Sequence, residues 1–182
     1  MELLKILTEH SHLSFTGRIN ILDDSTSQFI GAIFLKEGRI VGAEFSSKSG
    51  KKGLMGILYQ YFNATKKLKH IPEPELIEDA HLDFNLSIEQ FKHLMKKFFE
   101  DFKILKKFEP ARNLKLDINP HFISNGPTLT SDEYKILDLI CGGVKISDIY
   151  NQLEDLEYEI SQALISLRKK GALKVVKSYI IE

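Results

Sequence analysis

The feature that most constrains the fold of this chain is a change in hydrophobic period within its first 70 residues. Three short runs rich in apolar and β-branched residues are typical of strands: Phe15–Leu22, Gln28–Leu35 and Arg39–Phe45. The polar segments 23–27 and 36–38 suit turns that join antiparallel neighbours. From residue 51 to residue 62, apolar side chains recur at helical spacing instead. These periods predict an α+β fold that begins with an antiparallel β-meander.

Two further elements complete the predicted amino-terminal module. The apolar residues of segment 3–7 share one side of a short opening helix. A fourth strand, at about Lys66–Ile71, is expected to close the sheet and to end at the breaker Pro72-Glu73-Pro74. We therefore assign residues 1–75 to one α/β domain with flanking helices.

A long amphipathic helix is predicted to follow, over residues 88–108. Ser87 and Gln90 have the pattern of a capping box, which marks where the helix begins. Its apolar stripe is broad and rich in phenylalanine, and includes Phe91, Met95, Phe98, Phe102 and Leu105. We favour packing of this stripe within the chain, between modules, and keep a homodimer seam as the alternative. Residues 76–126 are interpreted as this long-helix bridge and a partly structured connector.

The last predicted module, residues 127–182, has the element order of a winged helix. Thr130 and Glu133 form a second capping box at the start of its first helix. Ser147 is expected to cap a short second helix, and a third helix follows. The chain would then form a small hairpin from two strands, at residues 172–176 and 179–181.

Several ordered motifs in the first 70 residues resemble the PATAN-type domain of bacterial signalling proteins. That domain has a leucine-rich helix, a Thr-Gly-Arg strand start, an aromatic strand, a Gly-Arg-Ile-Val turn and a glycine-led helix. The matching segments of this chain are Leu3–Leu7, Thr16–Ile19, Gly31–Leu35, Glu37–Phe45 and Gly50–Leu58. The long helix and the later Leu129-Thr130-Ser131-Asp132-Glu133 also look like the family's usual continuation.

The resemblance implies a role in protein interaction, because the family has no catalytic residues to carry over. We therefore expect a non-enzymatic adaptor in bacterial signal transduction or motility regulation. Its expected partner is another signalling protein, which would also supply any phosphorylation input.

Two turns, together with exposed sheet edge, contain the candidate binding residues. The first turn opens a helix and comprises Ser49, Gly50, Lys51 and Lys52. Lysines in a first helical turn oppose the helix dipole, and this turn tends to be acidic in the PATAN-type family. The departure makes these residues candidates for binding an anion or the acidic surface of a partner, while a solvated basic turn is the favoured interpretation. The spacing does not fit a Walker motif. The second is an interaction turn made of Lys36, Glu37, Gly38 and Arg39.

Two other functions stay open at this point. A winged helix can place its third helix in the major groove of DNA, so a transcriptional regulator is the first alternative. The segment Glu154–Glu159 at the start of that helix is acidic, and carboxylates repel phosphates, which argues against DNA. The second alternative is a cyclic-dinucleotide receptor that uses the basic turn at Lys51.

The polar residues do not have the spacing of a catalytic or metal site. His10 and His12 resemble half a metal site, with no further ligands nearby, so neither a metal nor another cofactor is expected. The pair Asp23-Asp24 is interpreted as solvated charge. Cys141 is interpreted as a buried small hydrophobe.

Composition predicts a cytoplasmic globular protein. The 25 Lys and Arg residues balance 25 Asp and Glu residues, and no segment is strongly basic. A single cysteine suits a reducing compartment. The sequence has neither the pattern of a signal peptide nor an apolar run of membrane-spanning length, so no membrane insertion is expected.

Overall fold

The computed structural model describes residues 2–63, 67–124, 126 and 128–176 of the chain, which divides into two compact units. The first unit is Met1–Phe102 and the second is Lys103–Glu182. The first contains α1 (Glu2–His12), β1 (Gly17–Asp23), β2 (Phe29–Lys36), β3 (Arg39–Phe45), β4 (Lys48–Ser49), α2 (Gly50–Asn63), β5 (Leu68–Pro74), a 3-10 turn (Asp79–His81) and most of α3 (Ile88–Phe108). The second contains the end of α3, β6 (Lys115–Ile118), α4 (Pro120–Ser124), α5 (Ser131–Ile140), β7 (Val144–Lys145), α6 (Ile146–Gln152), α7 (Glu157–Lys169) and β8 (Leu173–Val175).

The predicted α+β class is confirmed. The described residues form seven α-helices, an antiparallel five-stranded sheet of order β4-β3-β2-β1-β5 and a three-stranded sheet of order β7-β6-β8. In the larger sheet, Ile33 of β2 pairs with Ile19 of β1 and with Ala43 of β3, as expected for a meander. None of the described helices has the length and apolar character needed to cross a membrane.

β2 is the central strand and is buried on both faces. Its residues Ile33 and Leu35 are fully buried, and so, on the other face, are Ala32 and Phe34. Ala32 and Phe34 pack with Val41 in a small second core. Burial on two faces explains why this strand reads as a continuous apolar run rather than as an alternation.

The prediction that Pro72 and Pro74 end the fourth strand is wrong. β5 runs through both prolines, which pair with Ile19 and Gly17 of β1. The reason is the position of β5, which is the last strand of the sheet, so that its outer side meets no further strand among the described residues. Since proline has no N–H, the two prolines also leave this edge with fewer donors for an added strand.

The second unit builds its sheet around a strand that sequence analysis placed in the connector. β6 pairs with both neighbours, since Leu116 lies opposite Val144 of β7 and Val175 of β8. β6 thus holds the middle position, although it precedes α5 in the chain. The second strand of the predicted hairpin, 179–181, lies outside the described residues.

Capping interactions set the starts of α3 and α5 as predicted. The Ser87 N–H donates to Gln90 Oε1 (2.8 Å), and the Thr130 N–H donates to Glu133 Oε2 (2.8 Å). The predicted cap at Ser147 is wrong, because α6 begins one residue before it, at Ile146. The first N–H groups of α6 are satisfied by backbone instead of a side chain, since the Ile146 N–H donates to the Leu114 carbonyl oxygen (3.0 Å) and the Ser147 N–H to that of Arg112 (2.9 Å).

Candidate functional site

The predicted interaction turn between β2 and β3 is a tight hairpin with positive φ at Glu37 (52°) and Gly38 (76°). Positive φ at both central residues gives the backbone twist that fits a two-residue hairpin. The Gly38 N–H donates to the Phe15 carbonyl oxygen (2.9 Å) and the Glu37 N–H to Thr16 Oγ1 (2.9 Å). A Cβ at Gly38 would collide with the Ser11 carbonyl oxygen, so the turn sits closely against the end of α1. Three side chains of the turn stay exposed: Lys36, Glu37 and Arg39.

Two leucines that sequence analysis missed lie at the same end of the sheet as this turn. Gly17 pairs with both Leu35 and Pro74, so the start of β1, the turn after β2 and the end of β5 come together. Leu13, just after α1, is 76% exposed, and Leu76, just after β5, is 93% exposed. We define the sheet-end surface as Leu13, Lys36, Glu37, Arg39 and Leu76. Neither leucine has a clear sequence signal, because Leu13 stands between two polar residues and Leu76 belongs to an isolated pair with Ile77 that has no helical or strand period.

The backbone edge of β3 beside this turn is covered, contrary to the expected exposed sheet edge. The Ile40 N–H donates to the Leu86 carbonyl oxygen (2.9 Å), and the Leu86 N–H donates to the Ile40 carbonyl oxygen (2.8 Å). The Asp83 N–H donates to the Val41 carbonyl oxygen (2.9 Å). The guanidinium of Arg39 also donates to the Asn85 side chain. Recognition at the sheet-end surface must therefore use side chains rather than strand addition.

The basic turn at the start of α2 lies at the opposite end of β3. Ser49 pairs with Glu44 near the end of that strand, whereas Arg39 is its first residue. At about 3.3 Å per residue, the two turns stand roughly 15–20 Å apart along the strand. The two predicted turns therefore do not form one continuous surface.

The chain places its own carboxylate where an external anion was expected. Gly50 begins α2 with a φ of 60°, and a Cβ added there would come within 2.8 Å of Asp83 Oδ1. Lys51 and Lys52 are exposed in the same helical turn. A carboxylate at the positive end of a helix is stabilised by the helix dipole. The carboxylate of Asp83 thus partly neutralises the positive charge at the start of α2, which an external anion was expected to neutralise.

The phenylalanine-rich stripe of α3 is buried. The five predicted residues are between 0% and 7% exposed: Phe91, Met95, Phe98, Phe102 and Leu105. Within the first unit, the ring of Phe62 from α2 lies 6.1 Å from that of Phe98 and 6.0 Å from that of Phe102. The Tyr59 ring lies 5.7 Å from the Phe102 ring. These contacts pack α3 against α2 inside the first unit, whereas the role of the stripe as an interdomain or dimer face stays a prediction.

The acidic segment at the start of α7 is engaged in ion pairs and a cap. Glu157 accepts from Arg112 (3.0 Å), and Asp155 lies 3.0 Å from Lys135 Nζ. Glu159 Oε2 accepts the Leu156 N–H (3.3 Å). Because two of the carboxylates are paired, the segment repels phosphate less strongly than its sequence suggests.

Sequence reasoning missed a buried polar cluster in the second unit. The hydroxyls of Tyr150 and Ser161 lie 2.6 Å apart, and Ser161 donates to Glu109 Oε1 (3.1 Å). The Arg112 guanidinium stacks 3.4 Å from the centre of the Tyr150 ring. Burial raises the pKa of Tyr150 to about 12, so the phenol stays protonated. The partners stand 11 and 52 residues apart in the chain, and no local pattern links them.

Two further sequence interpretations need correction. Cys141 is exposed, because α5 ends at Ile140 and Cys141 is its C-cap residue, beyond the buried face of the helix. Asp23 is 7% exposed rather than solvated. Its carboxylate accepts the N–H groups of Ser25 (2.9 Å) and Thr26 (3.1 Å), so it shapes the turn after β1.

His10, one of the two histidines near the amino terminus, has structural contacts. His10 Nδ1 lies 2.8 Å from the Ile6 carbonyl oxygen, and its ring meets Phe15 edge-on at 4.9 Å. Among the residues that the structure describes, His, Cys, Asp and Glu side chains form no group of three that could hold a metal ion.

Comparison of the chain with protein-family models, with curated proteins and with solved structures finds no match. The resemblance to the PATAN-type domain therefore stays a prediction that depends on the motifs alone.

Proposed function

We propose that this protein is a cytoplasmic, non-enzymatic adaptor that binds another protein through the sheet-end surface. The observation that carries the proposal is the position of Leu13 and Leu76, the two most exposed of the large apolar side chains described. Exposed apolar residues within a charged rim are typical of protein-binding surfaces. The resemblance to PATAN-type domains adds the context of bacterial signal transduction or motility regulation.

The local structure favours binding at this surface. Burial of an exposed leucine side chain contributes about 1.5–3 kcal/mol, so two leucines can anchor a partner. The hydrogen bonds of Glu37 and Gly38 to Thr16 and Phe15, just before β1, hold the turn in one conformation before binding. A preorganised turn loses little conformational entropy when a partner docks.

The carboxyl-terminal unit is included in the proposal as a winged-helix-like module that contacts protein. Helices α5, α6 and α7 and strand β8 follow one another in the predicted order. The central place of β6 in the sheet is an addition to that layout.

The two alternatives have less support. A cyclic dinucleotide at the start of α2 would bring phosphate close to the Asp83 carboxylate, and like charges repel. A DNA-binding α7 would present Glu157 to the backbone, although Arg112 partly neutralises that charge. Binding of a protein at the sheet-end surface does not require a phosphate group to approach a carboxylate.

The proposal is tested with Leu13→Glu and Leu76→Glu. The full chain is used to capture proteins from its native cells, and affinity for the retained protein is then measured by calorimetry with both proteins purified. We expect each charge substitution to weaken binding about tenfold or more, because a buried apolar contact is replaced by a desolvated carboxylate.

Lys69→Glu is the matched control, since Lys69 is exposed on β5 of the same unit but lies outside the sheet-end surface, and it should bind as wild type. Equal affinity of the wild type and both leucine variants would refute the proposal. Binding of duplex DNA with a steep salt dependence would replace it with the regulator. Thermal stabilisation by a cyclic dinucleotide would replace it with the receptor.

A further inference from the structure

A second exposed apolar site, in the second unit, is bordered by lysines from two helices. Phe108 at the end of α3 is 43% exposed, and Ile104, one helical turn earlier, is 57% exposed. Lys107 Nζ lies 5.7 Å from the centre of the Phe108 ring, and Lys169 Nζ of α7 lies 5.9 Å from it. Both distances allow attraction between the ammonium group and the ring. We call Ile104, Lys107, Phe108 and Lys169 the Phe108 patch.

The positive charge of this patch is not balanced within the described part of the chain. Neighbouring lysines do have ion pairs, since Lys106 lies 2.7 Å from Glu109 and Lys170 lies 2.7 Å from Glu133. Lys107 and Lys169 form no ion pair with a described residue, which leaves two ammonium groups beside one ring. Each ammonium group lies within 6 Å of the ring centre, so a carboxylate that docks beside the ring can pair with one or both of them.

We propose that the Phe108 patch binds an acidic amphipathic helix of a partner protein. Ile104 and Phe108 are four residues apart on one helix, so they form a short apolar stripe that matches apolar anchors spaced the same way. The lysines beside the stripe pair with carboxylates that flank those anchors.

The charge and composition of the Phe108 patch favour an acidic helix over a nucleic acid or an anionic lipid surface. A nucleic acid backbone gains nothing from the apolar side chain of Ile104. Two large apolar residues also supply too little burial for stable insertion into a lipid surface. Lys107 and Phe108 are the last two residues of α3, so the cationic part of the patch lies at the carboxyl-terminal end of that helix. An acidic helix with its carboxylates near Lys107 and Lys169 satisfies each of these features.

This patch is distinct from the sheet-end surface, and it would give the proposed adaptor a second binding site. The two sites lie in different units and are tested with different variants. Each proposal can therefore fail without the other.

The probe is a fluorescein-labelled synthetic peptide of about 16 residues, with leucines at helical spacing on one side and glutamates on the other. Its binding to the full chain is followed by fluorescence anisotropy. We expect saturable binding that weakens with salt, since exposed charges are screened. Lys107→Glu and Lys169→Glu should each weaken it about tenfold. Phe108→Ala should weaken it as well, with folding checked by thermal unfolding.

Lys145→Glu is the matched control, because Lys145 is an exposed lysine of the same unit. It should change the affinity less than about twofold. The proposal is overturned if the wild type fails to bind the peptide or if Lys145→Glu weakens binding as much as the patch variants. Equal binding of a peptide with lysines in place of the glutamates also overturns it, as does a preference for phosphatidylglycerol vesicles or single-stranded DNA.

Discussion

Glu133 combines a helix cap with a buried ion pair. It is 2% exposed, and its carboxylate accepts from Lys170 Nζ (2.7 Å) and Ser166 Oγ (2.7 Å), as well as from the Thr130 N–H (2.8 Å). Burial by itself would raise the pKa of Glu133, but these hydrogen bonds outweigh burial and lower the pKa to about 2. The sequence predicts the cap, whereas the ion pair joins residues 37 positions apart.

We expect Glu133 to make stability depend on pH in the acid range. Its pKa is lower in the folded than in the unfolded state, so its contribution is complete above pH 4.5 and is lost as pH falls from there toward about 2. Glu133→Gln should lower the free energy of unfolding at pH 7 by about 2–3 kcal/mol, a value reduced because Lys170 is partly exposed. Urea unfolding at pH 7 and pH 3 measures both effects. Asp138→Asn, on the exposed side of the same helix, should leave the pH profile unchanged.

His70 presents the opposite situation, a buried polar group without hydrogen bonds. Both ring nitrogens are buried and have no partner among the described residues. The ring lies 6.4 Å from that of Tyr61, and the backbone of β5 pairs His70 with Ile21. Burial lowers the pKa of His70, and the carboxylate of Glu2 opposes this effect only in part. The fold therefore favours the neutral imidazole.

Acidification through the ordinary histidine range should destabilise the protein through His70. Because the folded-state pKa is lowered, stability is complete above about pH 6.5 and decreases as pH falls below it. His70→Leu should flatten this slope and add about 1 kcal/mol, since an unsatisfied polar group is removed. Urea midpoints between pH 7.5 and pH 5 provide the measurement. An unchanged slope in His70→Leu, or a flattened one in the exposed control His93→Gln, would contradict the assignment.

At the scale of elements, α2 lies close to the sheet because two glycines face it. A Cβ at Gly53 would come within 2.7 Å of the Ala43 carbonyl oxygen. A Cβ at Gly56 would come within 2.5 Å of the Phe45 ring. In the sequence these glycines only weaken the helical pattern. The structure shows that their lack of a Cβ allows α2 to pack closely against β3.

Gly53→Ala should therefore destabilise the protein, although alanine is the better helix former. At an open helical position the substitution would add up to about 1 kcal/mol. Here the neighbouring atoms are backbone and cannot move aside, so we expect a loss of about 2 kcal/mol from overpacking. Thermal or urea unfolding tests the sign of the change. Lys51→Ala, on the exposed side of α2, should stay within about 0.5 kcal/mol of wild type.

At the scale of the whole molecule, the chain divides inside its longest helix. The compact units meet between Phe102 and Lys103, within α3, while helical periodicity continues without a break from Ile88 to Phe108. The predicted division at residues 75 and 126 stays a prediction. β6 illustrates why such limits are hard to read, because Lys115–Ile118 gains its pairing from β7 and β8, which lie 26 or more residues later.

The sequence by itself determined what depends on neighbours within about four residues. It predicted the α+β class, the meander, the full length of α3 and the two capping boxes, since periodicity, turn residues and caps act locally. Among the candidate site residues, it identified the β2–β3 turn from its Glu37-Gly38 pair.

Only the tertiary structure decided what depends on which distant segments meet. It made prolines acceptable in β5 by placing that strand at the edge, and it covered β3 with residues 81–86. It exposed Cys141, and it brought Leu13 and Leu76 to one end of the sheet. The physical reason is that burial and long-range pairing are properties of the assembled fold, and no residue carries them in its own type or in its local spacing.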